Sequence, residues 1–454
     1  MSHPSLGWLG IARLGLVQAA LGAIVVLTTS TMNRVMVVEL ALPAMLPGAL
    51  VALHYAVQIL RPHFGYGSDR GGRRTPWILG GMATLAAGAV LAASAIATFE
   101  ASNTLGVALS VLAFLLIGFG VGAAGTSLLV LLATRVDEHR RAAAATVVWL
   151  MMIVGFVVST LVVGLLLDPY SAGRLLLLTA AVGAAAVLLT LAALHGLEPR
   201  AGAPGTTAGD VAASDPPPPF RVALAEVWSE PQARRFTVFI FVSMLAYSAQ
   251  DLILEPFAGA VFGMTPGEST RLSSLQHGGV LVGMLLVAMA CSAIGGARLG
   301  SLRGWTTGGC LASAVALLGL VLAGRAGGEW PLAANVFALG VANGAFAVAA
   351  IGSMMGFAGS GRARREGVRM GLWGAAQAIA FAIGGFAGAA ASDLTRGLFA
   401  SPGIAYGLVF ATEALLFIAA AVLAARLGAP SVATRITPLA RPHALPLASQ
   451  ERPA

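Results

Sequence analysis

The sequence predicts an all-α membrane protein of twelve transmembrane helices, built as two pseudo-symmetric bundles of six. Three observations carry this. Hydrophobic residues make up 57% of the chain and charged residues 10%, whereas soluble domains carry about 25% charged residues. Apolar runs of about 20 residues, each long enough to cross a hydrocarbon layer of roughly 30 Å, recur along the chain. These runs fall into two sets on either side of a stretch that is rich in proline and glycine. A transmembrane β-barrel would show short alternating segments instead.

The first set of spans is predicted near 14–38, 43–61, 76–98, 105–133, 143–167 and 174–195. The second lies near 235–256, 271–294, 305–324, 332–357, 369–392 and 404–426. This divides the chain into a six-helix bundle (1–195), a linker (196–233), a second bundle (234–427) and a tail (428–454). The linker, "GLEPRAGAPGTTAGDVAASDPPPPFRVALAEVWSEPQARR", has the composition of a flexible tether. The first apolar run continues through the whole first span, with no cleavage-site pattern, so no removed signal peptide is expected.

All 27 basic residues are arginine, and the net charge is +8. They are spread over short loops, which excludes a nucleic-acid surface and fits orientation in a bilayer. Only Arg34, Arg174, Arg271, Arg325 and Arg396 fall on the side opposite the termini. The positive-inside rule therefore places both termini in the cytoplasm. Cys291 and Cys310 fall inside predicted spans and read as small core hydrophobes.

The two halves repeat locally, as transporters built from internal repeats do. Span one ends "NRVMVVELALP" and span seven ends "QDLILEPF", each with polar and acidic residues before a proline. "SDRGGRRTPW" has a faded counterpart in "ARLGSLRGW", with Ala297 standing where the first half has Asp69. The first of these loops, "GYGSDRGGRR", resembles the motif between spans two and three of the major facilitator superfamily. Its key positions are Gly65, Asp69, Arg70, Gly72, Arg73 and Arg74. Glycine there allows close helix approach. Asp69 is expected to pair with Arg73 or to face the positive N-terminal end of span eleven, latching the bundles together. The competing reading is a basic loop that only orients the hairpin. Span five lacks the Gly-Pro pattern of drug–proton antiporters, and carboxylates at membrane depth are few, Glu413 among them.

A narrower resemblance follows. "TMNRVMVVEL", "VVWLMMIVG", "YSAQDLILEPFAG", "LQHGG" and "GLWGAAQAIAFAIGGFAG" are similar to the PucC-like, or bacteriochlorophyll delivery, family of the superfamily. The compact loop after span two resembles the shorter members of pigment-synthesis gene clusters, once named a bacteriochlorophyll synthase chain. The resemblance implies handling of bacteriochlorophyll or a precursor as cargo, with no tightly bound cofactor. It implies a bacterial cytoplasmic or intracytoplasmic photosynthetic membrane, with pigment-synthesis enzymes or light-harvesting polypeptides as partners. No phosphate loop, diphosphate-binding acidic repeat or dinucleotide fingerprint is present, so no enzyme and no catalytic or metal site is expected. Glycine-rich "GFGVGAAG" lies in an apolar span and reads as helix packing. The rival functions are a conventional transporter of a small hydrophobic solute and a pigment-free assembly factor for light-harvesting polypeptides.

Two sets of candidate site residues remain. Arg34 and Glu39 are five apart, about 140° around an α-helix, so an intrahelical pair is not expected. Instead Asn33, Arg34, Glu39, Gln250, Asp251 and Glu255 are predicted to form a polar ring between spans one and seven, with interfacial anchoring as the alternative. His54 and His277 are candidate ligands for a bacteriochlorophyll magnesium. His277 is preferred, because Gly278 and Gly279 leave room for a flat macrocycle.

Overall fold

The computed structural model describes residues 6–60, 73–99, 101–198, 220–291, 301–360 and 366–427, and among these it is helical with no strand. Among the described residues, eleven helices are long and apolar enough to cross a membrane. The predicted second span is a shorter apolar helix, Met45–Leu60, followed by residues outside the described set. In the first bundle, span one is Trp8–Glu39, span three Thr75–Thr98 and span four Asn103–Arg135. Spans five and six are Glu138–Leu166 and Ala172–Leu194. The second bundle contains Pro231–Phe262, Pro266–Ala290, Leu302–Ala326, Leu332–Ser360, Glu366–Leu398 and Pro402–Arg426 as spans seven to twelve. The face carrying Trp8 and Arg426 is the terminal face here, and the opposite one the far face.

Local signals start these helices where they begin. Ser102, Ser171 and Ser301 accept from backbone N–H groups of the first turn, and Thr265 forms a capping box with Glu268. Prolines occupy the first turn of spans three, seven, eight and twelve, where no N–H is needed. Leucines such as Leu165, Leu177 and Leu188 stay exposed on spans five and six, which suits a helix whose solvent is lipid.

Each bundle has its own apolar core. One draws on residues from Ile11 to Leu197 with Leu252, the other on residues from Phe236 to Leu427. The bundles meet along spans one and seven, two and eleven, and five and eight. Small residues permit that approach. A Cβ on Gly48 would lie 2.7 Å from that of Ala389, and one on Gly164 2.9 Å from the backbone of Arg271. "GFGVGAAG" packs as expected: a Cβ on Gly118 would sit 2.7 Å from the His54 carbonyl.

Three features differ from the sequence reading. The end of the linker is a helix, Phe220–Ser229, packed on spans seven and eleven with Val227 buried. Apolar residues at helical spacing within "FRVALAEVWS" explain it, and the neighbouring prolines obscured it. Cys310 is a buried core residue, but Cys291 is exposed just past the end of span eight. Span seven does not end at Pro256; it continues to Phe262.

Candidate functional site at the bundle seam

Span one explains why the bundles join where they do. It is wound as α-helix to Val26, then carries two π-helical segments, Leu27–Thr31 and Val35–Glu39. In such turns, residue i+5 stacks over residue i. Arg34 therefore does reach Glu39, as an intrahelical ion pair. The expectation that these residues face apart assumed α-helical winding, and the π-turn overturns it. Arg34, 2% exposed, also donates to the Met264 carbonyl at the start of the loop after span seven.

Asn33 crosses the seam. Its amide donates to the Leu252 carbonyl at 2.5 Å. Pro256 has no N–H and so cannot close the helical bond to the carbonyl four residues earlier, which is that of Leu252. Span one thus satisfies the group that the proline leaves free, and span seven passes through Pro256 intact.

Tyr247, Asp251 and Glu255 recur every four residues and form one stripe on span seven. Glu255, 1% exposed, accepts from the hydroxyls of Ser30 on span one and Ser273 on span eight, both at 2.5 Å. The buried Gln276 side chain of span eight lies close to the Asp251 carboxyl. Glu413 of span twelve, 2% exposed, lies within electrostatic reach of Asp251, and neither of its carboxyl oxygens has a partner among the described residues. Gln250 is buried with both amide atoms unpartnered among the described residues, and nothing in the structure explains it. The predicted ring is therefore two linked groups: Arg34 with Glu39, and the span-seven stripe facing span eight.

The two histidines differ in a way the sequence does not show. His277 Nδ1 lies 2.8 Å from the Ser273 carbonyl. A carbonyl only accepts, so Nδ1 carries the hydrogen and Nε2 keeps its lone pair. Phe156 of span five stands edge-on to the ring at 5.0 Å. A Cβ at Gly278 would meet nothing within 4 Å, whereas Gly279 packs against span ten, where a Cβ would collide with the Phe337 carbonyl. Of the two glycines beside His277, only Gly278 is free of close packing. His54 Nε2 is engaged by the Gln58 side chain at 3.0 Å.

A family model described as "PUCC protein" matches residues 31–432. The chain belongs to the PucC family. It is 56% identical over 432 residues to the "Bacteriochlorophyll synthase 44.5 kDa chain" of Rhodobacter capsulatus, covering 95% of this chain and 98% of that protein. "Protein PucC" of the same organism is 30% identical, with 90% of each chain covered. Solved structures of transporters share the fold. A bacterial homologue of the lysosomal transporter Spinster, inward-facing and occupied, has a TM-score of 0.67 at 15% identity, covering 94% of this chain and 98% of that one. A peptide transporter of the POT type, in complex with sulfate, has a TM-score of 0.67 at 14% identity, covering 94% of this chain and 97% of that one. This PucC-family protein therefore has the major facilitator fold.

Of the loop motif, Gly65, Asp69, Arg70 and Gly72 lie outside the described residues. Arg73 and Arg74 lie within them, where Glu198 closes the N-terminus of span three. It accepts from the Arg74 and Thr75 backbone at 2.8–3.0 Å and from the Thr75 hydroxyl at 2.7 Å. Burial pushes the Glu198 carboxyl up, but those hydrogen bonds and the Arg73 charge outweigh it and hold it below its ordinary value.

The sequence reading missed a pair of far-face contacts between the bundles. Asp393, ending span eleven, accepts from the Ala44 and Met45 N–H groups of span two at 2.9 and 2.7 Å. Asp168, following span five, accepts from the Thr265 hydroxyl at 2.7 Å and Gly267 N–H at 3.1 Å, at the start of span eight. Spans five and eleven are equivalent in the repeat, as are two and eight. Each bundle thus caps a helix of the other with an aspartate, and Asp before Pro ("DPY") was the available signal for Asp168. Beside these contacts, a pocket of about 630 Å³ opens between Arg34, Glu39, Asp168, Tyr170, Gly259 and Met264.

Proposed function

We propose that this protein binds bacteriochlorophyll or a precursor in the seam between its bundles, with His277 as the axial ligand, and delivers it to pigment synthesis or light-harvesting complex assembly. The observation that carries this reading is the hydrogen-bond state of His277. Its Nδ1–H is committed to the Ser273 carbonyl, which in the neutral ring fixes the tautomer and leaves the Nε2 lone pair to act as a ligand, as in metal-ligating histidines. A magnesium tetrapyrrole supplies a flat apolar ring with an open axial position on its metal. A Cβ at the adjacent Gly278 would meet nothing within 4 Å, and Phe156 stands edge-on to the imidazole as an aromatic neighbour. His54 is the poorer ligand, because Gln58 occupies its Nε2.

The names of the relatives support the cargo class, and the transporter-like fold supports carriage over catalysis. Arginine asymmetry supports a cytoplasmic terminal face, and the relatives' names a phototrophic bacterial membrane. Pigment-synthesis enzymes or light-harvesting polypeptides are the expected recipients.

The test is gentle solubilisation from a phototrophic host, followed by an absorption spectrum of the purified protein. Co-purified tetrapyrrole should fall at least several-fold in His277→Leu and persist in His54→Leu. Pigment retained by His277→Leu would overturn the ligand assignment. Absence of pigment from the parent protein, with solute flux in pigment-free vesicles, would favour a transporter of a small hydrophobic solute.

A further inference from the structure

We propose that Glu255, Ser30 and Ser273 form a sodium-ion site that joins the two bundles. The inference does not depend on the pigment reading. It begins from charge. Glu255 is 1% exposed, and one of its carboxyl oxygens has no hydrogen-bond partner among the described residues. Burying a carboxylate without a counter-charge is strongly unfavourable. Among the described residues the cation that acts on Glu255 is Arg34, and its guanidinium is already directed at Glu39 and the Met264 carbonyl. Serine hydroxyls supply dipoles to Glu255 but no charge.

The oxygen geometry suits a small hard cation. Ser30 Oγ and Ser273 Oγ both lie 2.5 Å from the same Glu255 oxygen and 3.1 Å from each other. They come from spans one and eight, with the carboxyl from span seven, so three helices in two bundles converge on one point. Beside it, Thr31 and Thr270 bring two further hydroxyls within 3.2 Å of each other. Carboxylate and hydroxyl oxygens are ligands for hard cations, not for soft metals. Among the described residues no group of three or more His, Cys, Asp or Glu side chains could hold a metal ion. One carboxylate with neutral hydroxyls matches a single positive charge better than two.

The backbone is an independent observation. Ser30 lies in the π-helical segment Leu27–Thr31. Such turns are rare and frequent at functional sites. Coupling-ion sites in repeat-built transporters lie at the repeat interface, where irregular helices present carbonyl oxygens. The Ser273 carbonyl also holds His277 Nδ1, so the site and the imidazole share one residue. Sodium bound here draws spans one, seven and eight together and favours the closed seam.

The experiment is thermal unfolding of the purified protein in sodium chloride titrated against choline chloride at constant ionic strength. The melting temperature should rise with sodium and saturate. Glu255→Gln should abolish the sodium response while melting in choline at or above the parent, because the neutral amide needs no cation. Ser273→Ala, which keeps the carboxylate, should raise the half-maximal sodium concentration about tenfold, equivalent to about 1.4 kcal/mol. A parent indifferent to sodium overturns the proposal. So does a sodium response that survives in both variants. A parent stabilised only by lowering the pH in choline shows that Glu255 takes a proton instead, and also overturns it.

Discussion

The bond from Asn33 to the Leu252 carbonyl gives a sharp test of how the bundles are joined. Asn33→Leu preserves volume but removes the side-chain donor to a buried carbonyl that Pro256 has deprived of its usual helical partner. Orphaning such a group costs about 1–3 kcal/mol. Measured hydrogen bonds between membrane helices average about 0.6 and reach about 1.7 kcal/mol. The expected loss is therefore about 1–2 kcal/mol. Pro256→Ala restores an N–H at position 256, which can close the helical bond to Leu252. In that background Asn33→Leu should cost little, leaving a coupling of about 1 kcal/mol between residues on different bundles. Reversible unfolding in mixed detergent micelles, followed by tryptophan fluorescence, measures all four corners of the cycle. Additive losses, within about 0.3 kcal/mol, would refute the claim that Asn33 replaces the bond lost at Pro256.

Other outcomes follow from the same geometry. Arg34→Ala should destabilise by about 2–3 kcal/mol through its lost charge-assisted bonds; Glu39→Gln should rescue part of this and Glu255→Gln less, as read by unfolding of the double variants. Asp168→Asn and Asp393→Asn should each shift far-face opening about fivefold, from about 1 kcal/mol per helix cap. The readout is the labelling rate of Thr31→Cys by a membrane-impermeant thiol reagent, in a background lacking Cys291 and Cys310; unchanged rates in the double variant would show that these contacts do not gate the seam. Glu198 has a depressed carboxyl, so its contribution is present above the unfolded value of about 4.3 and is lost as pH falls through the folded one. Glu198→Gln should therefore cost about 1 kcal/mol near neutrality and flatten the melting-temperature decline below about pH 5. Deleting 201–215 should leave the melting temperature within a degree or two, since tether length costs little; a large loss would mean that this segment docks.

Much of the fold was legible in the chain because a bilayer imposes a one-dimensional rule: every backbone polar group needs an internal partner, so apolar runs of sufficient length must be helices. The all-helical membrane class and the family motifs follow from composition and local pattern, while of the twelve predicted spans eleven are span-length helices among the described residues and the second is the shorter Met45–Leu60. The candidate residues Asn33, Arg34, Asp251, Glu255 and His277 were visible for a related reason, since polar groups at membrane depth are costly and stand out. Their partners were not visible. Arg34 meets Glu39 only because span one is wound as π-helix there, which no residue spacing announces. Asn33 finds the Leu252 carbonyl, and Ser30 finds Glu255, across more than two hundred residues of chain. The aspartates at 168 and 393 look like ordinary loop acids until the other bundle brings a helix N-terminus to them. The hydrogen-bond partners that separate His54 from His277, Gln58 for one ring and the Ser273 carbonyl for the other, are likewise set by the fold. Sequence marks which groups need satisfying; the packing of one bundle against the other decides what satisfies them, because those bonds depend on helix register and rotation, which are properties of the assembled seam.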